Sequence, residues 1–129
     1  MLIATFSVVV VSCTDRNNDV VTTTDNDTYA MVLEISNANF VNTAPSGYNI
    51  SASFTKPLFN EDIVLIFRKA GTDNGAIVWQ SIPRSIYIDA AKRFDYDYDF
   101  SKNDIKIYAA GNYDISTNPE YLNNQTFRV

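Results

Sequence analysis

Three aspartates at alternate positions are the residues whose spacing most suggests chemistry. They are Asp95, Asp97 and Asp99, within the segment FDYDYDF at 94–100. In a β-strand, alternate side chains point to opposite faces, so the carboxylates would share one face and the four aromatic rings the other. Calcium takes roughly six to eight oxygen ligands, so a flat strand would need a nearby loop to complete a site. Without that loop, the aspartates form a solvated outer face above an aromatic core layer.

The aromatic side chains offer a second chemistry, which is stacking against sugar rings. Tyr113 and Tyr121 lie in the loop-rich segment 111–124, so they are the better exposed candidates for ligand binding. The rings of FDYDYDF and the single tryptophan, Trp79 on an apolar strand, are expected to fill the core instead. Glycan binding and calcium binding therefore remain alternatives to a purely structural domain.

Catalytic residues are scarce in this chain. It contains no histidine, and its one cysteine, Cys13, cannot form an intramolecular disulfide. Histidine-based acid–base catalysis and Cys/His zinc sites are therefore excluded. No glycine-rich phosphate loop is present, and nothing indicates a cleft around the aspartates. We expect a protein that is not an enzyme and that needs no cofactor, with calcium as the one open alternative.

Length and charge define the broad class of protein. The chain has 129 residues, of which 46% are hydrophobic and 19% charged, and its formal net charge is −5. This is enough apolar sequence for one packed domain, and too much for a disordered chain. An acidic protein without a basic face is not expected to bind nucleic acid.

From Tyr29 onward the chain shows period-two alternation or short apolar runs, and no convincing amphipathic helix. Strands are predicted at 29–35, 48–54, 62–68, 76–80, 85–89, 94–100, 104–109 and 125–129. The segment 37–47 is predicted to be a loop from which Phe40 and Val41 pack inward. GTDNG at 71–75 is a predicted turn, so that 76–80 returns antiparallel to 62–68. About seven short strands at this spacing predict an antiparallel β-sandwich of immunoglobulin or fibronectin III type, with a small barrel as the alternative.

Two strands carry specific expectations. The five consecutive apolar residues in 62–68 predict the central, most buried strand, with Leu65 and Phe67, or Ile66 between them, in the core. The last predicted strand ends at Val129 without a closing turn, so we expect it to be incomplete and to leave an unpaired sheet edge.

The N-terminus has the features of a lipoprotein precursor. An uncharged apolar run, 1–11, is too short to cross a bilayer and has the length of a secretory hydrophobic region. The following tetrad, Val10-Val11-Ser12-Cys13, resembles the bacterial lipobox. That resemblance implies that residues 1–12 are a signal peptide and that Cys13 is acylated, with two or three chains needed for a stable anchor. Since no basic residue precedes the run, we expect the true start to lie upstream of Met1.

The polar segment that follows Cys13 predicts a flexible tether. Residues 14–28 include four aspartates but no aromatic residue, glycine or proline, so they cannot bury enough surface to fold. An acidic segment at this place resembles the surface-export signals of Bacteroidota lipoproteins, although a plain solvated linker has the same composition. The predicted organisation is thus a signal peptide at 1–12, an acylated cysteine and tether at 13–28, and a β-sandwich at 29–129.

The second half of the chain resembles a group of small lipoproteins from Flavobacteria and their relatives. The resemblance rests on DIVLIFR at 62–68, the turn and strand at 71–79, FDYDYDF, DIKIY at 104–108 and NQTFR at 124–128. It implies a lipid-anchored outer-membrane protein, with a surface-exposed position as a further expectation, and it implies no reaction. We therefore expect a non-enzymatic outer-membrane lipoprotein with a structural or protein-interaction role, whose partners are the membrane and envelope proteins or glycans. The alternative is a surface module that binds glycan or calcium.

Overall fold

A computed structural model describes residues 30–129 as an all-β domain with nine strands. The predicted signal peptide, Cys13 and the predicted tether lie outside these residues. The strands are β1 (Glu34–Ala38), β2 (Val41–Thr43), β3 (Gly47–Ser53), β4 (Ile66–Asp73), β5 (Ala76–Ile82), β6 (Arg84–Tyr87), β7 (Arg93–Phe100), β8 (Asp104–Gly111) and β9 (Gln125–Arg128). Two short 3-10 helices, Ile115–Thr117 and Pro119–Tyr121, occupy the connection between β8 and β9. The described part of the chain contains no helix with the length and apolar character that crossing a bilayer requires.

The strands form two antiparallel sheets, so the predicted β-sandwich is confirmed and the barrel alternative is not. The four-stranded sheet has the order β1-β9-β4-β5, and the five-stranded sheet has the order β2-β3-β8-β7-β6. This is the two-layer architecture of immunoglobulin-like sandwiches, with nine strands instead of about seven. The order of strands within each sheet is different from that of an immunoglobulin constant domain, whose sheets are ABED and CFG.

A tight hairpin joins β4 to β5, and a proline marks the point where the chain passes from β5 to β6. Asn74 and Gly75 connect β4 to β5 with positive φ values of 52° and 83°, as a two-residue turn of type I′ requires. The antiparallel return predicted from the sequence is thereby confirmed. Pro83 then ends β5, and the chain enters the other sheet as β6. Proline suits this corner because it cannot donate to a strand ladder.

The apolar run before β4 is not buried throughout, which corrects a prediction. β4 does lie inside its sheet, between β9 and β5, but it begins at Ile66 and the preceding residues alternate between core and solvent. Val64 is 7% and Ile66 1% exposed, whereas Ile63 is 74% and Leu65 57% exposed. The outer face of the four-stranded sheet is open, so only every second side chain of the run can enter the core.

The core lies between the two sheets and is filled from alternate positions of the strands. β7 contributes Phe94 and Tyr96, and β8 contributes Ile105 and Ile107, as the alternation predicts. Phe127 of β9 meets them from the opposite sheet, with its ring 6.2 Å from that of Tyr96 in an edge-to-face arrangement. These side chains fix β7 so that its aspartates face outward.

The first part of the domain departs from the prediction in register. A strand was expected at 29–35 and a loop at 37–47, but β1 begins at Glu34 and β2 lies within the expected loop. A bulge between Ile35 and Ala38 shifts the pairing of β1. Phe40 packs inward as expected, whereas Val41 points outward and is 58% exposed. Adjacent residues of an extended chain point in opposite directions. Phe40 and Val41 therefore cannot both enter the core between the two sheets.

The last strand is not at an edge. β9 pairs with β1 through Ile35 and Phe127 and with β4 through Arg68 and Phe127. The predicted unpaired edge at this strand is therefore wrong, because β1 covers one side of β9 and β4 the other.

Candidate functional site

The aspartates of β7 share the outer face of the five-stranded sheet, and each already has an internal partner. Nε of Arg93 lies 2.9 and 3.0 Å from the two carboxylate oxygens of Asp95. Ser85 donates its hydroxyl to the same carboxylate at 2.6 Å. Asp99 accepts a hydrogen bond of 3.0 Å from the hydroxyl of Tyr108, and partial burial together with this bond raises the pKa of Tyr108. The face is thus a set of short polar links across β6, β7 and β8.

The structure does not assemble a calcium site from these carboxylates. Asp97 accepts a hydrogen bond of 2.8 Å from the backbone N–H of Tyr98. Asp104, the first residue of β8, accepts a hydrogen bond from the hydroxyl of Ser101. Among residues 30–129 no three carboxylate, thiol or imidazole side chains are grouped so that they could hold a metal ion. The aspartates are spread along a flat strand, as the geometry of β7 dictates.

Tyr113 and Tyr121, the predicted ligand-binding candidates, are half-buried in the structure, and their role in ligand binding stays a prediction. The hydroxyl of Tyr113 donates to Oδ1 of Asn118 at 2.7 Å. The ring of Tyr121 lies 5.4 Å from that of Phe94, with the Arg68 guanidinium on its face at 5.5 Å. The two tyrosines thus pack the connection between β8 and β9 against the core.

A different tyrosine is exposed beside a depression in the five-stranded sheet. Tyr87 of β6 is 72% exposed and lies opposite Arg93, on the same outer face as Asp95. An open depression of about 500 Å³ is lined by Pro83, Arg84, Ser85, Tyr87, Arg93, Asp95, Tyr96 and Asp97. Tyr87 is not among the site residues predicted from the sequence, although the alternation in SIYID, with Ile86 and Ile88 inward, already predicts that its side chain points outward.

The outer face of the four-stranded sheet carries the second group of exposed side chains. Trp79 of β5 is half-buried, with the guanidinium of Arg128 at 4.1 Å from its ring centroid. Leu65 is 57% and Ile77 45% exposed on the same side, and Phe67 is half-buried between them. We call Leu65, Phe67, Ile77 and Trp79 the apolar outer face.

The free edges of the two sheets differ in their protection. β2 has only three residues, β6 has four and follows Pro83, and β1 contains a bulge and begins with Glu34. Short length, proline, charge and bulges are the usual devices that stop an edge from pairing with another chain. β5 has seven residues, AIVWQSI, without charge or proline. Within residues 30–129 its backbone hydrogen bonds run to β4 alone, so its other edge is open.

Within residues 30–129 the core contains one charged side chain, Arg68. It is 7% exposed, and its guanidinium lies 4.8 Å from the ring centroid of Tyr96. Burial raises the pKa of Tyr96, and the positive charge of Arg68 offsets only part of this effect. Tyr96 donates its hydroxyl to the backbone oxygen of Tyr121 at 2.6 Å. This network is enclosed by the sheets and holds the connection between β8 and β9 in place, so its role is structural.

No protein family, curated protein or solved structure matches this chain. The resemblance to flavobacterial lipoproteins therefore stays a prediction from the sequence. Two surfaces of the domain could contact a partner or ligand: the open edge of β5 with the apolar outer face, and the depression beside Tyr87.

Proposed function

We propose that this chain is a lipid-anchored protein of the bacterial outer membrane and that its β-sandwich is a non-enzymatic module for contact with another protein. The lipobox-like tetrad ending at Cys13 supports the anchor. The observation that carries the protein contact is the open edge of β5, the one long sheet edge among residues 30–129 that lacks a protective device.

An open strand edge can bind another extended segment through its backbone. The outward N–H and C=O groups of β5 alternate along the strand and are matched by the backbone of an added strand. Such β-augmentation takes its affinity from main-chain hydrogen bonds and its specificity from alternate side chains. The expected partner is therefore an extended segment of another envelope protein.

The side chains around β5 specify what that segment should contain. Ile77 and Trp79 point to the apolar outer face, so the partner strand needs an apolar residue at alternate positions on that side. β5 itself is uncharged, and the cations of Lys69 and Arg84 lie next to its middle and its end. Acidic residues flanking an apolar strand would complement this border.

Site-specific photo-crosslinking in intact cells tests the contact. A photoreactive phenylalanine analogue replaces Ile77 in one variant and Val41 in another, since Val41 is similarly exposed but lies on the short edge β2. We expect a discrete crosslinked product from position 77 and none from position 41. Equal products at both positions, or none at position 77, contradict the proposal.

A second variant set separates edge pairing from simple proximity. The analogue is placed at Ser81, and Ile77→Lys or Val41→Lys is added, because a lysine on an edge strand opposes pairing. Ile77→Lys is expected to lower the yield at least fivefold, while Val41→Lys leaves it unchanged. An unchanged yield in Ile77→Lys would show that β5 does not receive a strand.

The lipid anchor has its own test. Cells expressing the chain behind a complete signal are fed a labelled palmitate analogue, and label on the protein is measured. The wild type is expected to incorporate label, Cys13→Ala to lose it, and Ser12→Ala to keep it because a small residue still precedes the cysteine. Label retained in Cys13→Ala would overturn the lipobox assignment.

A further inference from the structure

We infer that the depression beside Tyr87 is a binding site for a neutral carbohydrate. It lies on the five-stranded sheet, whereas the proposed protein contact uses β5 of the other sheet. The two proposals therefore rest on different residues and can fail separately.

The exposed ring of Tyr87 provides the surface on which a sugar can stack. Tyr87 is the most exposed of the large aromatic side chains in residues 30–129, at 72%, and it stands at the rim of a depression of about 500 Å³. That volume is within the usual range for small-ligand sites. A pyranose has one face of C–H groups that packs on an aromatic ring, while its hydroxyls stay at the periphery and need polar partners.

The polar partners are present and partly fixed in position. Ser85, Arg93 and Asp95 form a connected set in which one carboxylate takes both the arginine and the hydroxyl. Within residues 30–129 the guanidinium of Arg93 uses only its Nε, and Asp97 uses only one of its carboxylate oxygens. A sugar hydroxyl both donates and accepts, so the terminal N–H groups of Arg93 can donate to it and Asp97 can accept from it.

The charge of the lining disfavours an acidic ligand. Arg93 is already neutralised by Asp95, and Asp97 adds a negative charge to the same outer face. A phosphate or an acidic sugar would meet two carboxylates and one arginine there, so it has no net attraction to the site. A purely apolar ligand would remove the charged side chains from water without replacing their hydrogen bonds. A polyhydroxyl compound without charge satisfies both conditions.

The test is retardation of the 129-residue chain, purified in a mild detergent, in native gels that contain dissolved polysaccharide. The neutral probes are dextran, laminarin, glucomannan and xylan, and the acidic probe is polygalacturonate. We expect retardation by at least one neutral probe, with little change between low and high salt because no charge is neutralised. Tyr87→Ala is expected to weaken binding at least tenfold and Asp97→Ala three- to tenfold.

The matched control is Phe59→Ala, since Phe59 is a similarly exposed aromatic residue, at 60%, that does not line the depression. It should bind like the wild type. The inference is overturned if none of the four neutral probes retards the protein, if only polygalacturonate does so and salt abolishes the effect, or if Tyr87→Ala binds as well as Phe59→Ala. Circular dichroism of each variant verifies that the fold is retained. Substitution of Tyr87 is not expected to unfold the domain, because its side chain is exposed.

Discussion

Nε of Arg68 donates to Oε1 of Gln125 at 2.8 Å, and this bond joins two residues that are 57 positions apart in the core of the sandwich. The same Gln125 side chain donates to the backbone oxygens of Glu120 and Asn123, both at 2.8 Å. The buried amide of Gln125 thus links β4 to the segment between β8 and β9. Its oxygen and its nitrogen are both hydrogen-bonded, as a buried amide requires.

The first prediction concerns this bond. Gln125→Leu leaves a buried charged donor without its acceptor, so we expect a loss of about 2–3 kcal/mol in the free energy of unfolding, measured by urea denaturation. Adding Arg68→Met removes the unpaired charge. The double variant should therefore lose less stability than the sum of the losses in Gln125→Leu and Arg68→Met. Strictly additive losses would show that the two residues do not interact.

The second prediction separates neighbouring residues of the apolar run. Ile66→Ala removes a fully buried side chain and should cost about 2–5 kcal/mol. Leu65→Ala changes a side chain that is 57% exposed and should cost less than about 1 kcal/mol. Chemical denaturation of the two variants measures the difference. Similar losses at both positions would contradict the placement of Leu65 on the outer face.

The third prediction concerns alkaline pH and Tyr96. Burial raises the pKa of Tyr96 above the ordinary tyrosine value of about 10, so the unfolded chain loses the phenolic proton at a lower pH than the folded protein. This contribution to stability is complete below pH 10 and declines above it, by at most about 1.4 kcal/mol for each pH unit. Tyr96→Phe lacks the proton, so the stability difference between wild type and variant should shrink from pH 9 to pH 11 in urea titrations. A constant difference would mean that Tyr96 titrates as it does in the unfolded chain.

The fourth prediction concerns calcium. The carboxylate of Asp95 is occupied by Arg93 and Ser85, and the three aspartates are spread along β7. Millimolar calcium should therefore shift the melting temperature by less than about 2 °C, since a ligand stabilises appreciably only well above its dissociation constant. A rise of many degrees that disappears in Asp97→Asn would reinstate the calcium-binding alternative.

The surfaces were less predictable than the strands. Tyr87 could have been assigned to the outer face from the alternation around it, but its place beside Arg93 and Asp95 depends on how β6 pairs with β7. The packing of Tyr121 could not be read from its loop-rich surroundings, because the partners that cover it, Phe94 and Arg68, come from two different sheets.

The sequence by itself determined the local features of this fold. Alternation in 94–100 and 104–109 specified which side chains of β7 and β8 enter the core, and Asn74-Gly75 specified a tight hairpin, because both depend on the backbone geometry of a few adjacent residues. Only the tertiary structure decided that β9 lies between β1 and β4, that Leu65 faces solvent while Arg68 is buried, and that β5 is the open edge. These outcomes depend on which distant strands cover each face and edge, and the two-residue period of a strand is the same whichever face is covered.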